Sequence, residues 1–286
     1  VNRRVDPGLD AAYNASASVE SVEPYFERYL RESERVRTAH ACELDLAYGT
    51  HPRDRLDLFA APTPGAPLFV FIHGGYWRRL DKTYVSFVAE RALAAGAACA
   101  LLNYPLAPLA SLDNIVESTR RALVWLATES ARANARPNGF IVSGHSAGGH
   151  LSGMLAATDW EDYGLARGLV GGVLAVSGLF DLEPLRHTHI DEWLQLDDDS
   201  VARLSPQCHA PRGPMRVVAA VGGNESAEFI RQSVEYETFC AAAGNEASSL
   251  VLPGRNHFSV LYEFLDERSA LSRTTSELLG GAALNR

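Results

Sequence analysis

The sequence predicts an α/β fold: a mostly parallel eight-stranded sheet with helices on both faces, formed as a single domain over residues 1–286. Three observations carry this expectation. Apolar runs of strand length alternate with helical stretches along most of the chain, which is the pattern of a sheet covered by helices. Several of these runs, PLFVFI (67–72) and AACALLNY (97–104) among them, are apolar without interruption, as strands buried on both faces are. Two earlier pieces, CELDLAY (42–48) and RLDLFA (55–60), instead alternate apolar with polar residues, which predicts a half-exposed antiparallel hairpin at the entrance to the sheet.

The elements follow in order. Residues 21–38 begin with a capping Ser21 and a first-turn Pro24 and carry Tyr25, Phe26, Tyr29, Leu30 and Val36 at near-helical spacing, so a leading amphipathic helix is expected. After the hairpin and the third strand, residues 82–95 read as helix, 97–104 as strand and 111–134 as a long helix with Ile115, Val116, Leu123, Trp125 and Leu126. A strand at 140–143 runs into helical letters from His150 (HLSGMLAAT), and LVGGVLAVS (169–177) is the sixth strand. Residues 179–207 are charged and irregular, with short helical pieces, and are expected to form a cap-like insertion. Strands at 215–221 and 247–252 flank a helix at 226–243, and 259–279 is mostly helical.

Composition excludes several classes. With 47% hydrophobic and 21% charged residues and no apolar run of membrane-spanning length, a soluble globular protein with no membrane partner is expected. A net charge of −9 without blocks of like charge argues against nucleic acid as a partner. Cys42, Cys99, Cys208 and Cys240 are scattered, with no C-x-x-C pair, and read as reduced thiols. The first twenty residues contain arginines but no apolar signal core, which leads to the expectation of a cytoplasmic location. A small-molecule partner is expected, and a homodimer is left open.

Chemistry centres on Gly144-His145-Ser146-Ala147-Gly148, a G-x-S-x-G turn between a strand and a helix. This is the context of a nucleophile elbow, in which the serine sits at a strained turn and the glycines avoid the neighbouring strand and helix. In open α/β sheets reactive groups gather beyond the carboxyl ends of the strands. Glu225 follows the seventh strand and His257 the eighth, so nucleophile, acid and base fall in the chain order of the α/β-hydrolase fold. Serine alone is a poor nucleophile near neutral pH. His257 would take its proton, and Glu225 would fix the imidazole's tautomer and stabilise its cation. Asp181, after the sixth strand, is the rival acid, and its other reading is a helix N-cap. Gly74 and Gly75 end the third strand and, with Ala147 after the serine, are candidate backbone donors for an oxyanion. His187 and His189 are two apart without clustered carboxylates or thiols, so no metal site is read, and no cofactor is required.

The segments HGGYW (73–77), YPLAP (104–108), GHSAGGHL (144–151), SGLFDLEPL (177–185), ESAEFIRQS (225–233) and NHF (256–258) together resemble the kynurenine formamidase (arylformamidase) group of α/β-hydrolases, which neighbours the hormone-sensitive-lipase-like esterases. The resemblance extends from about Tyr48 to the end of the chain. It implies Ser146 as nucleophile, Glu225 as acid and His257 as base, acting on N-formyl-L-kynurenine without a cofactor. Where the family's acid loop usually reads Asp-Ser-Pro-Glu-Phe, this chain has Glu225 and Ala227 at the Asp and Pro positions, leaving room for a divergent substrate. The alternatives are a carboxylesterase for short acyl esters and an amidase for another N-acyl aromatic amine. Tyr76, Trp77 and Phe180 are the candidates for an aromatic wall against the substrate ring, with core packing as their other reading.

Overall fold

The structure is a computed structural model and describes residues 5–136 and 138–284. A short helix α1 (Pro7–Tyr13), capped by the Asp6 carboxylate, precedes the leading helix α2 (Glu23–Ala39), which matches the one expected at 21–38. The remainder alternates as expected: β1 (Cys42–Ala47), β2 (Arg55–Phe59), β3 (Leu68–Ile72), α3 (Ala89–Ala94), β4 (Ala98–Leu102), α4 (Leu112–Glu129), β5 (Phe140–His145) and α5 (Ala147–Ala156). Then come β6 (Val170–Val176), α6 (Asp191–Leu194), α7 (Asp198–Leu204), β7 (Arg216–Gly222), α8 (Ala227–Ala242), β8 (Glu246–Leu252) and α9 (Ala270–Leu284).

The eight strands make one sheet in the order β1-β2-β4-β3-β5-β6-β7-β8. β2 runs antiparallel to both β1 and β4, and every pairing from β4 to β8 is parallel. Strand pleat divides the core. Leu68, Val70 and Ile72 of β3 face a layer containing Ile115 and Leu123 of α4, Leu151 of α5 and Phe229 of α8. Phe69 and Phe71 point the other way, against Val36 of α2, Ala92 of α3 and Leu278 of α9. Ser111 and Ser226 start α4 and α8 by accepting the N–H of Asn114 and Phe229, so each helix begins where its strand loop ends.

Two expectations need correction. β1 is largely exposed, but β2 is buried along most of its length, so the pair is not a half-exposed hairpin. Its alternation arose because Asp57 is a buried polar residue: Lys82 Nζ lies 2.7 Å from both Asp57 Oδ1 and Asp45 Oδ1. Residues 82–95 are not one helix, since two 3-10 turns, Lys82–Tyr84 and Ser86–Val88, precede the short α3. The Lys82 side chain is buried and reaches inward to Asp57. The segment expected as a cap-like insertion folds as a 3-10 turn at Glu183–His187, then α6, then α7 with an Asp197/Ser200 capping box.

Candidate active site

β5 passes directly into α5 through Ser146, whose backbone has φ 57° and ψ −118°. Few non-glycine residues adopt such a conformation, and holding one there costs roughly 1–3 kcal/mol. The surroundings over-determine it: Ser146 N–H donates to Val176 O of β6 at 2.8 Å, and His150 N–H donates to Ser146 O at 3.1 Å. The flanking glycines are sterically required. A methyl on Gly144 would lie 2.2 Å from Gly148 O, and one on Gly148 would lie 2.0 Å from Ile72 O. Both contacts are with backbone, which cannot move aside.

The loops after β7 and β8 bring Glu225 to His257. His257 Nδ1–H donates to Glu225 Oε2 at 2.6 Å, with the carboxylate fully buried and the imidazole nearly so. The second oxygen is also satisfied: Glu225 Oε1 accepts Ser177 Oγ at 2.6 Å and Gly222 N–H at 2.7 Å. A buried carboxylate with three donors is held in one orientation. The tautomer of His257 is thereby fixed with Nε2 free to accept a proton. His257 and Ser146 line the same cavity, and no hydrogen bond joins them among the described residues. Asp181 is elsewhere, capping its own turn by accepting Glu183 N–H at 3.0 Å. Glu225 is thus the carboxylate coupled to the imidazole.

The glycine loop after β3 packs against the elbow, so that a methyl on Gly74 would sit 3.1 Å from Ser146 Cβ. Gly74 O is turned into the core, accepting His73 Nδ1–H at 2.7 Å and Tyr104 Oη–H at 3.3 Å. A trans peptide aims its N–H opposite to its carbonyl, so Gly75 N–H is directed away from Tyr104, and Gly75 lines the cavity. Ala147 opens α5, where first-turn N–H groups have no partner within the helix. The His73 ring stacks on Tyr104 at 4.3 Å, and burial pushes its pKa down to about 4. It is a neutral brace behind the glycines. His145, beside Ser146, is likewise held well below the usual imidazole range by burial, and its Nε2 meets His257 O at 2.8 Å.

Of the three aromatic candidates, Tyr76 lines the cavity, while Trp77 and Phe180 do not. Trp77 is fully buried and donates Nε1–H to His150 Nδ1 at 3.2 Å; Phe180 is fully buried and stacks on Tyr236 at 4.0 Å. Both are core residues. The wall is completed instead by Phe26 and Tyr29 of α2, with Tyr84 and Phe258. The sequence marked Phe26 and Tyr29 as the apolar face of the leading helix, and only the docking of that helix reveals where the face lies. Ala15 and Ser16, after α1, also reach the cavity, and no motif announced them. The cavity encloses about 500 Å³ of space between these side chains, part of it open to solvent. Among the described residues no three His, Cys, Asp or Glu side chains cluster as a metal site, and the four cysteines are free thiols. His189 bonds Asp10 at 2.6 Å.

The BD-FAE family model matches residues 56–190. Kynurenine formamidase of Danio rerio is 31% identical over 255 residues, covering 87% of this chain and 85% of its own. The chain belongs to the kynurenine formamidase family. Its Drosophila melanogaster relative of the same name is 25% identical over 86% of this chain and 83% of its own. A solved structure from a Silicibacter species, provisionally assigned as a thioesterase, superposes with a TM-score of 0.82 at 30% identity, covering 93% of this chain and 97% of its own. The Pyrobaculum calidifontis esterase, at 19% identity and TM-score 0.70, covers 98% of this chain and 99% of its own and shares the fold. As a member of the kynurenine formamidase family the chain is a hydrolase of the α/β-hydrolase fold. No helix of the described residues is long and apolar enough to cross a membrane.

Proposed function

We propose that this protein hydrolyses N-formyl-L-kynurenine to L-kynurenine and formate through a formyl-enzyme on Ser146. The observation that carries the reading is the buried His257–Glu225 pair at 2.6 Å, sharing a cavity with a serine on a strained elbow. Ser146 Oγ attacks the formyl carbon while His257 Nε2 takes the hydroxyl proton, and Glu225 stabilises the imidazolium that results. The N–H groups of Gly75 and Ala147, with Gly74 shaping the loop, receive the developing oxyanion. Losing one such donor typically costs about 3 kcal/mol of transition-state stabilisation.

His257 then delivers its proton to the departing arylamine nitrogen. Water, deprotonated by the same imidazole, attacks the formyl-enzyme, and formate leaves as Ser146 regains its proton. No metal or organic cofactor enters the scheme.

A second reading, a carboxylesterase for short acyl esters, draws support from the esterases that share the fold, because the same groups serve both reactions. Comparison of kcat/KM on N-formyl-L-kynurenine and p-nitrophenyl acetate separates the two. The formamidase reading expects clear preference for the formamide; efficient ester cleavage with negligible formamide turnover would replace it with the esterase.

A further inference from the structure

Arg79 stands at the mouth of the cavity that holds Ser146 and His257, and it also lines the adjoining depression with Arg78, His189 and Trp193. Its main chain is tied to the oxyanion loop. Arg79 N–H donates to Gly75 O at 3.1 Å, and Gly75, at φ 105°, closes so tightly that a methyl there would lie 2.1 Å from Arg79 O. The root of the arginine side chain therefore keeps a fixed relation to the Gly75 N–H.

Its guanidinium is oriented but not neutralised. Nη2–H donates to Ser16 Oγ at 3.0 Å, and no carboxylate pairs with Arg79 among the described residues. Carboxylates on the surrounding elements are engaged elsewhere: Asp10 by His189, Glu228 by Arg231 and Tyr13, and Glu225 by His257. Arg78 lays its guanidinium over the Trp193 ring at 4.6 Å. In a chain of net charge −9, the mouth of the cavity thus presents an uncompensated fork of N–H donors.

We infer that Arg79 binds a carboxylate on the part of the substrate remote from the scissile bond, making the site selective for anionic aryl amides over neutral ones. With the acyl carbon at Ser146 and the aryl ring along Tyr76 and Phe26, a side chain leaving the ring toward the mouth brings its carboxylate to Arg79. The inference deepens the proposed formamidase reading and rests on it for the identity of the amide. The carboxylate preference itself is separable from that reading.

The test compares wild type, Arg79→Gln and Arg79→Lys on N-formyl-L-kynurenine and on N-formylaniline, which lacks the charge. Arg79→Gln should raise KM for the anionic substrate roughly 10- to 100-fold, with kcat within about threefold and the neutral substrate little changed. Lysine should recover part of the loss. An equal effect on both substrates, or none on either, overturns the inference. Inhibition of p-nitrophenyl acetate hydrolysis by L-kynurenine and by aniline isolates binding from turnover. A kynurenine inhibition constant that rises at least about tenfold in Arg79→Gln, with aniline unmoved, supports the anchor even if the formamide is not cleaved. That combination would sink the formamidase reading alone, whereas an unchanged kynurenine constant rejects Arg79.

Discussion

At the scale of single residues, Glu225 stands where the acid loop of the resembling family usually carries a shorter aspartate, and its surroundings hold it against His257. Its extra methylene is accommodated because Ser177 Oγ and Gly222 N–H hold one oxygen while the other meets His257. Replacement by glutamine keeps the shape but removes the charge that stabilises the imidazolium. Glu225→Gln should lower kcat by roughly 10³- to 10⁴-fold, while Asp181→Asn, which only loosens a local turn, should stay within about threefold. Steady-state kinetics on whichever acyl substrate is turned over decides this, and a larger loss from Asp181→Asn would reverse the assignment of the acid. Ser146, Glu225 and His257 were legible because each follows a strand in a recognisable loop. Ser177 was not, since a serine ending a strand carries no signal until the fold brings Glu225, 48 residues later, against it. Trp77 and Phe180 were ambiguous for a related reason: an aromatic residue beside a catalytic motif looks the same whether it faces substrate or core.

At the scale of elements, the cavity depends on pieces that sequence periodicity describes poorly. α1 has only seven residues and is docked by tertiary contacts. Tyr13 Oη–H reaches Glu228 of α8 at 2.8 Å, Asp6 N–H reaches His187 O at 2.7 Å, and Tyr76 Oη–H bonds Tyr13 O. A helix so short gains its stability from those contacts, so the local pattern is weak. The same holds for β2, where Asp57 suggested a solvated position and is instead the buried partner of Lys82. Lys82→Met would leave the Asp57 carboxylate buried without its cation and should cost about 3–5 kcal/mol of stability. Combining it with Asp57→Asn, which removes the orphaned charge, should recover a substantial part. Urea unfolding of the two variants measures both effects, and an unaffected single variant would show that the buried ion pair does not stabilise the strand.

At the scale of the whole molecule, the mostly parallel sheet and its helical layers were legible because its central strands, buried on both faces, announce themselves by unbroken apolar runs. Less visible was how many histidines the fold keeps neutral. Burial holds His73 and His150 at about 4, and His145 is also well below the ordinary value. In the unfolded chain the same imidazoles bind protons near about pH 6.5. Between those limits the unfolded state binds more protons, so stability falls as pH is lowered from about 6.5 toward 4. The slope is up to about 1.4 kcal/mol per pH unit for each such histidine. Denaturant titrations across that window should show the decline already between pH 6.5 and 5, where most carboxylates remain ionised. A flat profile there would mean that these side chains are protonated at little cost in the folded protein.

All three scales converge on Ser146. The most direct measurement is the mass of the intact protein, and of its peptides, after treatment with the serine-directed organophosphate paraoxon. A single diethylphosphoryl group on the peptide containing Ser146, formed in step with loss of activity and greatly slowed in Glu225→Gln, is the predicted result. Full activity retained by a protein phosphorylated at Ser146, or inactivation with the label on another residue, would contradict the account.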